Sequence, residues 1–205
     1  MTFYRERILP HLVDRACGTA GLRKWRAQVA SGLTGQVLEI GFGSGLNVEY
    51  LPDEVTKVLA VEPSETAFRI AGKHIEQSGI PITRIGLDGQ SITLPDDSCD
   101  SALCTFALCT IPDPEAALAE VRRILRPGGT FHFIEHGLAP DPGVARWQHQ
   151  IEPLQRRLAD GCHLTREPVP MVEHAGFIVE ELSQQYGAGP KPWSYFTRAV
   201  VTNPG

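Results

Sequence analysis

Chemistry can be read first from three carboxylates and a cluster of glycines. Glu39 lies inside the run Val37-Leu38-Glu39-Ile40-Gly41-Phe42-Gly43-Ser44-Gly45, Glu62 stands nineteen residues after Gly43, and Asp88 precedes Gly89 and Gln90. Glycines at the end of an apolar run let the backbone approach a ligand and let the next helix start nearby with free N–H groups facing it. An acidic residue about twenty positions further on is suited to accept bonds from both hydroxyls of a ribose. Together these features predict a ligand containing a nucleoside, with Glu39 suited to a cationic amine and Asp88 to an adenine amino group. The alternatives are that Glu62 complements the dipole of a helix starting near Ser64 and that Asp88 is an ordinary loop carboxylate. A nicotinamide-type loop reads G-x-G-x-x-G, whereas here the third glycine comes one residue early and Leu46 occupies its place, which argues against an oxidoreductase.

If a proton must be moved, the candidate bases are His136 and His163, each of which could instead be a structural hydrogen-bonder. His132 lies on the same strand face as His136 but in mid-strand, where packing is expected. Cys99, Cys104 and Cys109 recur every five residues. That odd spacing puts successive thiols on opposite faces of a strand, and none forms a C-x-x-C pair, so no metal site is expected and the cysteines read as small core or pocket residues. Arg122, Arg123 and Arg126 read as the solvated face of a helix that includes Glu120.

These residues need elements to hold them. Phe3 to Ala30 has apolar residues at three- and four-residue steps, which predicts a helical arm broken at Gly18–Gly21. Strands are expected over 36–40, 58–61, 82–87, 100–106 and 130–135. Helices are expected over 46–51, over 65–77 with Ser64 as cap, and over 114–125 with Pro114 in the first turn and Pro127-Gly128-Gly129 closing it. This alternation implies an α/β fold with a mostly parallel sheet and helices on both faces. Segments 144–159 and 167–175 are helical and are read as a lid. Strands 177–182 and 195–202 flank a loop too short for a crossover helix, so the last strand is expected to run antiparallel.

Glu39-Ile40-Gly41-Phe42-Gly43-Ser44-Gly45, Glu62-Pro63, Asp88-Gly89-Gln90 leading to Leu94-Pro95-Asp96-Asp97-Ser98-Cys99-Asp100, and Leu125-Arg126-Pro127-Gly128-Gly129 together resemble the class I S-adenosylmethionine-dependent methyltransferases. The resemblance covers about residues 35 to 136. It implies a Rossmann-like, seven-stranded αβα sandwich with a reversed last strand. Ile134-Glu135-His136, Trp147 and Gly161-Cys162-His163-Leu164-Thr165-Arg166-Glu167 resemble more narrowly the methyltransferase-like group that includes thiol S-methyltransferases.

By that resemblance the cofactor is S-adenosyl-L-methionine. Gly41, Gly43 and Gly45 would lie against its methionine and ribose parts, Glu39 near its amino group and Glu62 on the ribose hydroxyls. Asp88 and Gly89 would contact adenine beside Pro63 or Ser64, and Thr105, Phe106 and Leu108 would line the methyl donor. Phe42, Asn47 and Gln90 complete the expected cofactor-binding set. The acceptor is expected to be a small molecule, with thiols favoured over quinone-like, phenolic or lipid acceptors. Displacement at a sulfonium carbon depends mostly on alignment and desolvation, so a general base is optional.

The 205 residues divide into an N-terminal arm (1–34), a cofactor-binding core (35–136), a helical lid (137–175) and a terminal hairpin (176–205). Trp147, His149 and Leu154 of the lid, with Phe3, Tyr4 and Trp25 of the arm, offer surface either for an acceptor or for packing between helices. With 42% apolar and 21% charged residues the chain has the material for a core, which excludes general disorder. A net charge of −5 argues against nucleic acid as substrate. No stretch reaches the ~18 apolar residues of a membrane span, and five cysteines without an apolar leader predict a reducing, cytoplasmic setting. The expected state is a monomer or weak dimer.

Overall fold

The expected alternation is realised over residues 3–205, which the computed structural model describes. A wide helical turn at Tyr4–Ile8 runs into α1 (Leu9–Cys17), and α2 follows (Ala20–Ala30). The core then proceeds through β1 (Gly35–Ile40), β2 (Val55–Val61), α3 (Glu65–Ser78), β3 (Ile82–Gly86), β4 (Cys99–Thr105), α4 (Pro114–Ile124) and β5 (Leu125–His136). After it come α5 (Pro142–Leu158), α6 (Pro168–His174), β6 (Ile178–Tyr186), a single turn α7 (Lys191–Ser194) and β7 (Tyr195–Thr202). Ser64 caps α3 by accepting a bond from the Ala67 N–H at 3.1 Å, and Asp113 caps α4 through Ala116.

The seven strands lie in the order β3-β2-β1-β4-β5-β7-β6. The first five are mutually parallel, and β7 pairs antiparallel with both β5 and β6. Alternate residues face opposite layers. Val37, Val58, Ala60, Leu103 and Ile134 pack with Trp25, Val29 and Ala30 of α2 and with Ala71 of α3. Leu38, Leu59, Ala102, Phe131 and Phe133 pack with Leu118, Val121 and Ile124 of α4 and Val172 of α6. The sheet is therefore covered on both sides. Because β1 to β4 are parallel and adjacent, Glu39, Glu62, Asp88 and Thr105 are all delivered to one edge of the sheet, the position where such folds take ligands.

Four expectations need correction. The helix expected at 46–51 is only a short 3₁₀ turn, Val48–Tyr50, because Gly45 holds a positive φ and Leu51 turns extended before Pro52. The strand expected from Thr130 already begins at Leu125: the register with β4 slips between Cys99 and Ser101, and Arg126–Gly129 is accommodated as an irregularity. Of the expected lid, α6 is a layer helix, with Val172 fully buried in the main core. The part lying away from the sheet is α5 with the turn after it. Arg122 and Arg123 of α4 and Arg126 of β5 are ties between elements instead of one free helix face. Arg123 binds Glu120, Asp96 and the carbonyls of Ile92 and Leu94, Arg122 donates to the Gly205 carbonyl, and Arg126 pairs with Asp100.

Candidate active site

The glycine loop begins where β1 ends. Gly41, Gly43 and Gly45 all have positive φ, a region that L side chains rarely occupy. At Gly41 the reason is also steric, since a Cβ there would stand 2.3 Å from that of Ala107. Gly43 instead faces open space: a Cβ would meet nothing nearer than the Gly41 carbonyl oxygen at 3.8 Å. Phe42 turns into the core and packs against Phe68 of α3, with ring centroids 5.7 Å apart, so its side chain serves the fold and not a ligand.

Glu62 is buried just past β2, and each of its oxygens accepts one backbone bond, from Gly43 N–H at 2.8 Å and Ser64 N–H at 2.7 Å. It therefore links the glycine loop to the start of α3. Burial pushes its pKa up, and those two N–H bonds hold the rise back. Pro63 is exposed beside it. Past β3, Asp88 is exposed and accepts from both the backbone and the side-chain nitrogen of Gln90, which lower its pKa. Gln90 in turn accepts from Asp113 N–H at 2.8 Å. Gly89 is buried with its Cα against Ile40, where a Cβ would come within 3.0 Å of Cγ2. Hydrogen bonds and the Ile40 contact thus fix the three against one another and against Asp113.

At the centre lies a network that the sequence only partly revealed. Asn47 donates to Glu39 Oε1 at 2.7 Å and to Thr105 Oγ1 at 3.0 Å, and it accepts from Arg26 at 2.6 Å. Arg26 reaches Thr105 as well, at 3.0 Å. Arg26 was not among the expected residues. Its signal was present: in α2 it falls at helical spacing within the apolar series Leu22, Trp25 and Val29, so a charged group was aimed at the core. Glu39 is fully buried, and its second oxygen, Oε2, has no partner. Burial raises its pKa to about 7, against the opposing pull of Asn47 and Arg26. A buried carboxylate oxygen without a partner costs about 1–3 kcal/mol and fits an incoming ammonium group.

The loop after β4 is shaped by Glu135, a residue the expected set did not contain. Its carboxylate accepts from Ala107 and Leu108 N–H at 2.8 Å and from Cys109 N–H at 3.2 Å. That clamp holds Phe106 at a φ of +58°, a conformation costing a non-glycine residue ~1–3 kcal/mol and concentrated at functional sites. The Phe106 ring lies against His136 (5.1 Å) and Phe196 (5.3 Å), with the Arg26 guanidinium 5.9 Å from its centroid. Leu108 departs from expectation. Its side chain is in the main core and its N–H belongs to Glu135, so it supports the loop instead of lining a ligand.

The two candidate bases separate. His163 Nδ1 meets Glu152 Oε1 at 3.1 Å, and the same carboxylate takes the N–H groups of Leu164 and Thr165 and the Thr165 hydroxyl. His163 thus belongs to a clamp that ties the turn after α5 to that helix. His132 is packed as expected, bound to the Val29 carbonyl at 2.8 Å and to Thr130. His136, at the end of β5, has a buried Nδ1 with no partner. Beside it the turn brings Cys162 to Cys109, with sulphurs 3.7 Å apart. The Cys109 thiol and His136 draw the pKa of Cys162 down, while the bond to Cys162 and burial drive that of Cys109 up. Comparing cysteines along one strand missed this grouping, because Cys162 comes from a turn 53 residues further on. Of the residues offered as acceptor surface, Trp147 and Leu154 are each 60% exposed and His149 is exposed, so they face solvent and not the site, whereas Trp25 is buried edge-on against Phe196.

Known proteins resemble this chain in sequence and in fold. Residues 38–133 match the family model described as a methyltransferase domain. The Thiol S-methyltransferase TMT1B of Rattus norvegicus is 35% identical over 163 residues, covering 78% of this chain and 65% of that protein. A ubiquinone biosynthesis O-methyltransferase of Pasteurella multocida is 30% identical over 123 residues, covering 52% of this chain and 49% of the other. The chain thus spans about two thirds of the length of the rat relative and about half that of the other. Among solved structures, a SAM-dependent methyltransferase from Thermotoga maritima superposes with a TM-score of 0.69 at 22% identity, covering 98% of each chain. The shared architecture includes the reversed last strand expected from the sequence.

Proposed function

The chain belongs to the S-adenosylmethionine-dependent methyltransferases, and from that premise we propose that it transfers a methyl group from S-adenosyl-L-methionine to a small-molecule acceptor, a thiol in the first instance. The observation that carries the proposal is the unpartnered Oε2 of Glu39, buried at the mouth of the glycine loop. S-adenosylmethionine supplies an electrophilic methyl group on a positively charged sulphur. Glu39, held by Asn47, receives the ammonium of its methionine part. The open backbone at Gly43 admits that part closely, and Glu62 accepts from the ribose hydroxyls with the lone pairs that Gly43 and Ser64 leave free. Asp88, Gly89 and Gln90 form the rim for adenine, with Pro63 beside it.

Thr105, the last residue of β4, and Phe106 just after it stand at the methyl-donor position, where Phe106 excludes water from the reacting centre. The acceptor enters on the side of His136. The thiol reading is supported by the relative named as a thiol S-methyltransferase and by the polar group at His136; the relative named for ubiquinone biosynthesis supports an O-methyl acceptor as the alternative. All five cysteines are free, which supports a reducing compartment such as the cytoplasm. Among the described residues no helix is long and apolar enough to cross a membrane.

Titration calorimetry with S-adenosylhomocysteine, followed by radiolabelled methyl transfer to a panel of small thiols and phenols, tests the reading. The expected result is saturable 1:1 binding that Glu62→Ala weakens at least ten-fold, and turnover with thiols above phenols. Absence of binding to the wild-type protein would end the proposal, and turnover on phenols alone would replace the thiol.

A further inference from the structure

The grouping behind Phe106 carries more than a hydrogen-bonding role. Ligating atoms of Cys109, Cys162 and His136 all lie within 4.8 Å of one another. Both sulphurs are buried, and they stand 3.7 Å apart. Two thiolates at ~2.3 Å from a tetrahedral zinc ion stand about 3.8 Å from each other, so the sulphurs already have the spacing that ion imposes. A histidine nitrogen at ~2.0–2.1 Å from the metal stands about 3.5 Å from each sulphur, so the imidazole needs to close by no more than about 1.3 Å. His136 Nδ1 is buried and bonded to nothing, which a structural histidine in a satisfied core is not.

The backbone around each group is fixed from outside the trio. Cys109 N–H is held by Glu135 and its carbonyl by the His163 N–H at 2.8 Å; Cys162 N–H is held by the Ala159 carbonyl at 2.9 Å. The His136 ring sits between Phe106 and Phe196. Outer contacts of this kind orient ligands before a metal arrives. Glu135, whose buried carboxylate contacts the Cys109 backbone at 3.2 Å, adds nearby negative charge for a divalent cation.

We propose that Cys109, Cys162 and His136 form a zinc site with one open coordination position, and that the acceptor thiol occupies this position as a thiolate. Three protein ligands and an exchangeable fourth are the pattern of catalytic zinc. The trio borders the proposed methyl-donor position: the Phe106 ring lies 5.1 Å from the His136 ring and 5.9 Å from the Arg26 guanidinium of the Glu39 network, so Phe106 must turn aside for the bound sulphur to reach the methyl carbon. Zinc deprotonates a coordinated thiol outright, the proton leaving to solvent. The bound sulphur then donates its electron pair to the methyl carbon, forming the new S–C bond. The bond from that carbon to the sulfonium breaks, and its electron pair stays on the departing sulphur, giving neutral S-adenosylhomocysteine. The methylated product is a neutral thioether, a weaker ligand than a thiolate, and leaves the metal. This second half rests on the methyltransferase reading above, whereas the metal site stands independently of it.

The test is metal content and cobalt spectroscopy of the full chain, purified under reductant and loaded with Zn²⁺ or Co²⁺. About one zinc per chain after dialysis is expected, together with the thiolate-to-cobalt charge-transfer band and strong visible bands of a tetrahedral cobalt site. Cys162→Ser, Cys109→Ser and His136→Gln should each weaken metal binding at least ten-fold while circular dichroism and S-adenosylhomocysteine binding are retained. A small thiol should change the cobalt spectrum in proportion to occupancy, and the corresponding thioether should not. Metal below a tenth of an equivalent in the reduced wild-type protein, or a Cys109–Cys162 disulfide in its place, would overturn the site. Equal metal retention in all three variants would overturn the assignment of ligands. A cobalt spectrum indifferent to thiols in a protein that binds S-adenosylhomocysteine would remove the acceptor role. A normal cobalt spectrum in a protein that does not bind S-adenosylhomocysteine would instead count against the methyltransferase reading alone.

Discussion

Glu39 carries most of what the site asks of one side chain. Its raised pKa of about 7 means that near neutrality the ligand-free protein holds it partly protonated, whereas an ammonium partner requires the ionised form. Binding of S-adenosylhomocysteine should therefore release protons and weaken about ten-fold between pH 8 and pH 6. Calorimetry in buffers of different ionisation enthalpy reads both quantities, and Glu39→Gln should bind more weakly and lose the pH dependence. Gly41 makes a second claim at this scale. With its positive φ and the Ala107 Cβ only 2.3 Å from where a Cβ would stand, Gly41→Ala is expected to cost about 2–4 kcal/mol, read as a lowered urea midpoint. Glu39, Glu62 and the glycines were legible in the sequence because their spacing follows from one strand, one turn and one helix. The role of Glu135 was not, and for Arg26 only its inward direction was, since the partners of both lie on other elements. The placement of Leu108 went wrong for the same reason: position in the chain put it at the site, but Glu135 and the core claimed its N–H and its side chain.

Among the elements, the arm and the lid behave differently from their sequence reading. α2 contributes Arg26 to the buried network of Asn47, Thr105 and Glu39 and Trp25 to the core, so the arm is built into the centre of the candidate site and is not only a surface. In α5 the informative residue is Gln148, which is almost fully buried. It accepts from Ala139 N–H at 2.9 Å and donates to the carbonyls of Gly137 and Pro192 at 3.0 and 3.1 Å. That one amide joins the lid helix to the end of β5 and to α7. Gln148→Ala is expected to leave two buried backbone groups and one half-buried one without partners and to destabilise the chain by about 2–4 kcal/mol. Hydrogen exchange should rise along α5 and the 159–165 turn, with S-adenosylhomocysteine affinity changed less than three-fold. Helix spacing announced α5 and α6 equally well. The burial of Val172 and Pro168 separates α6 from α5, and burial depends on which sheet face a helix meets.

For the molecule as a whole, three buried carboxylates, Glu39, Glu62 and Glu135, have pKa values raised by desolvation. Each binds its proton more readily in the folded than in the unfolded chain, so the stability it contributes is full below its ordinary pKa and is lost as pH rises through the folded value. For Glu39 that window runs from about 4.5 to about 7, and the ligand-free protein should lose about 1 kcal/mol from this group between pH 6 and pH 8. The difference in thermal midpoint between wild type and Glu39→Gln over that range measures it, and saturating S-adenosylhomocysteine should reverse its sign. The sequence by itself determined the layered α/β architecture, the reversed last strand and the carboxylates at the ends of parallel strands, because periodicity, turn residues and strand direction are local properties of the chain. Only the tertiary structure decided which groups meet: Arg26 with Asn47, Glu135 with the loop after β4, and Cys162 with Cys109 and His136. Those meetings depend on how far each helix and turn crosses the sheet, a distance set by packing of the whole core and written in no single segment.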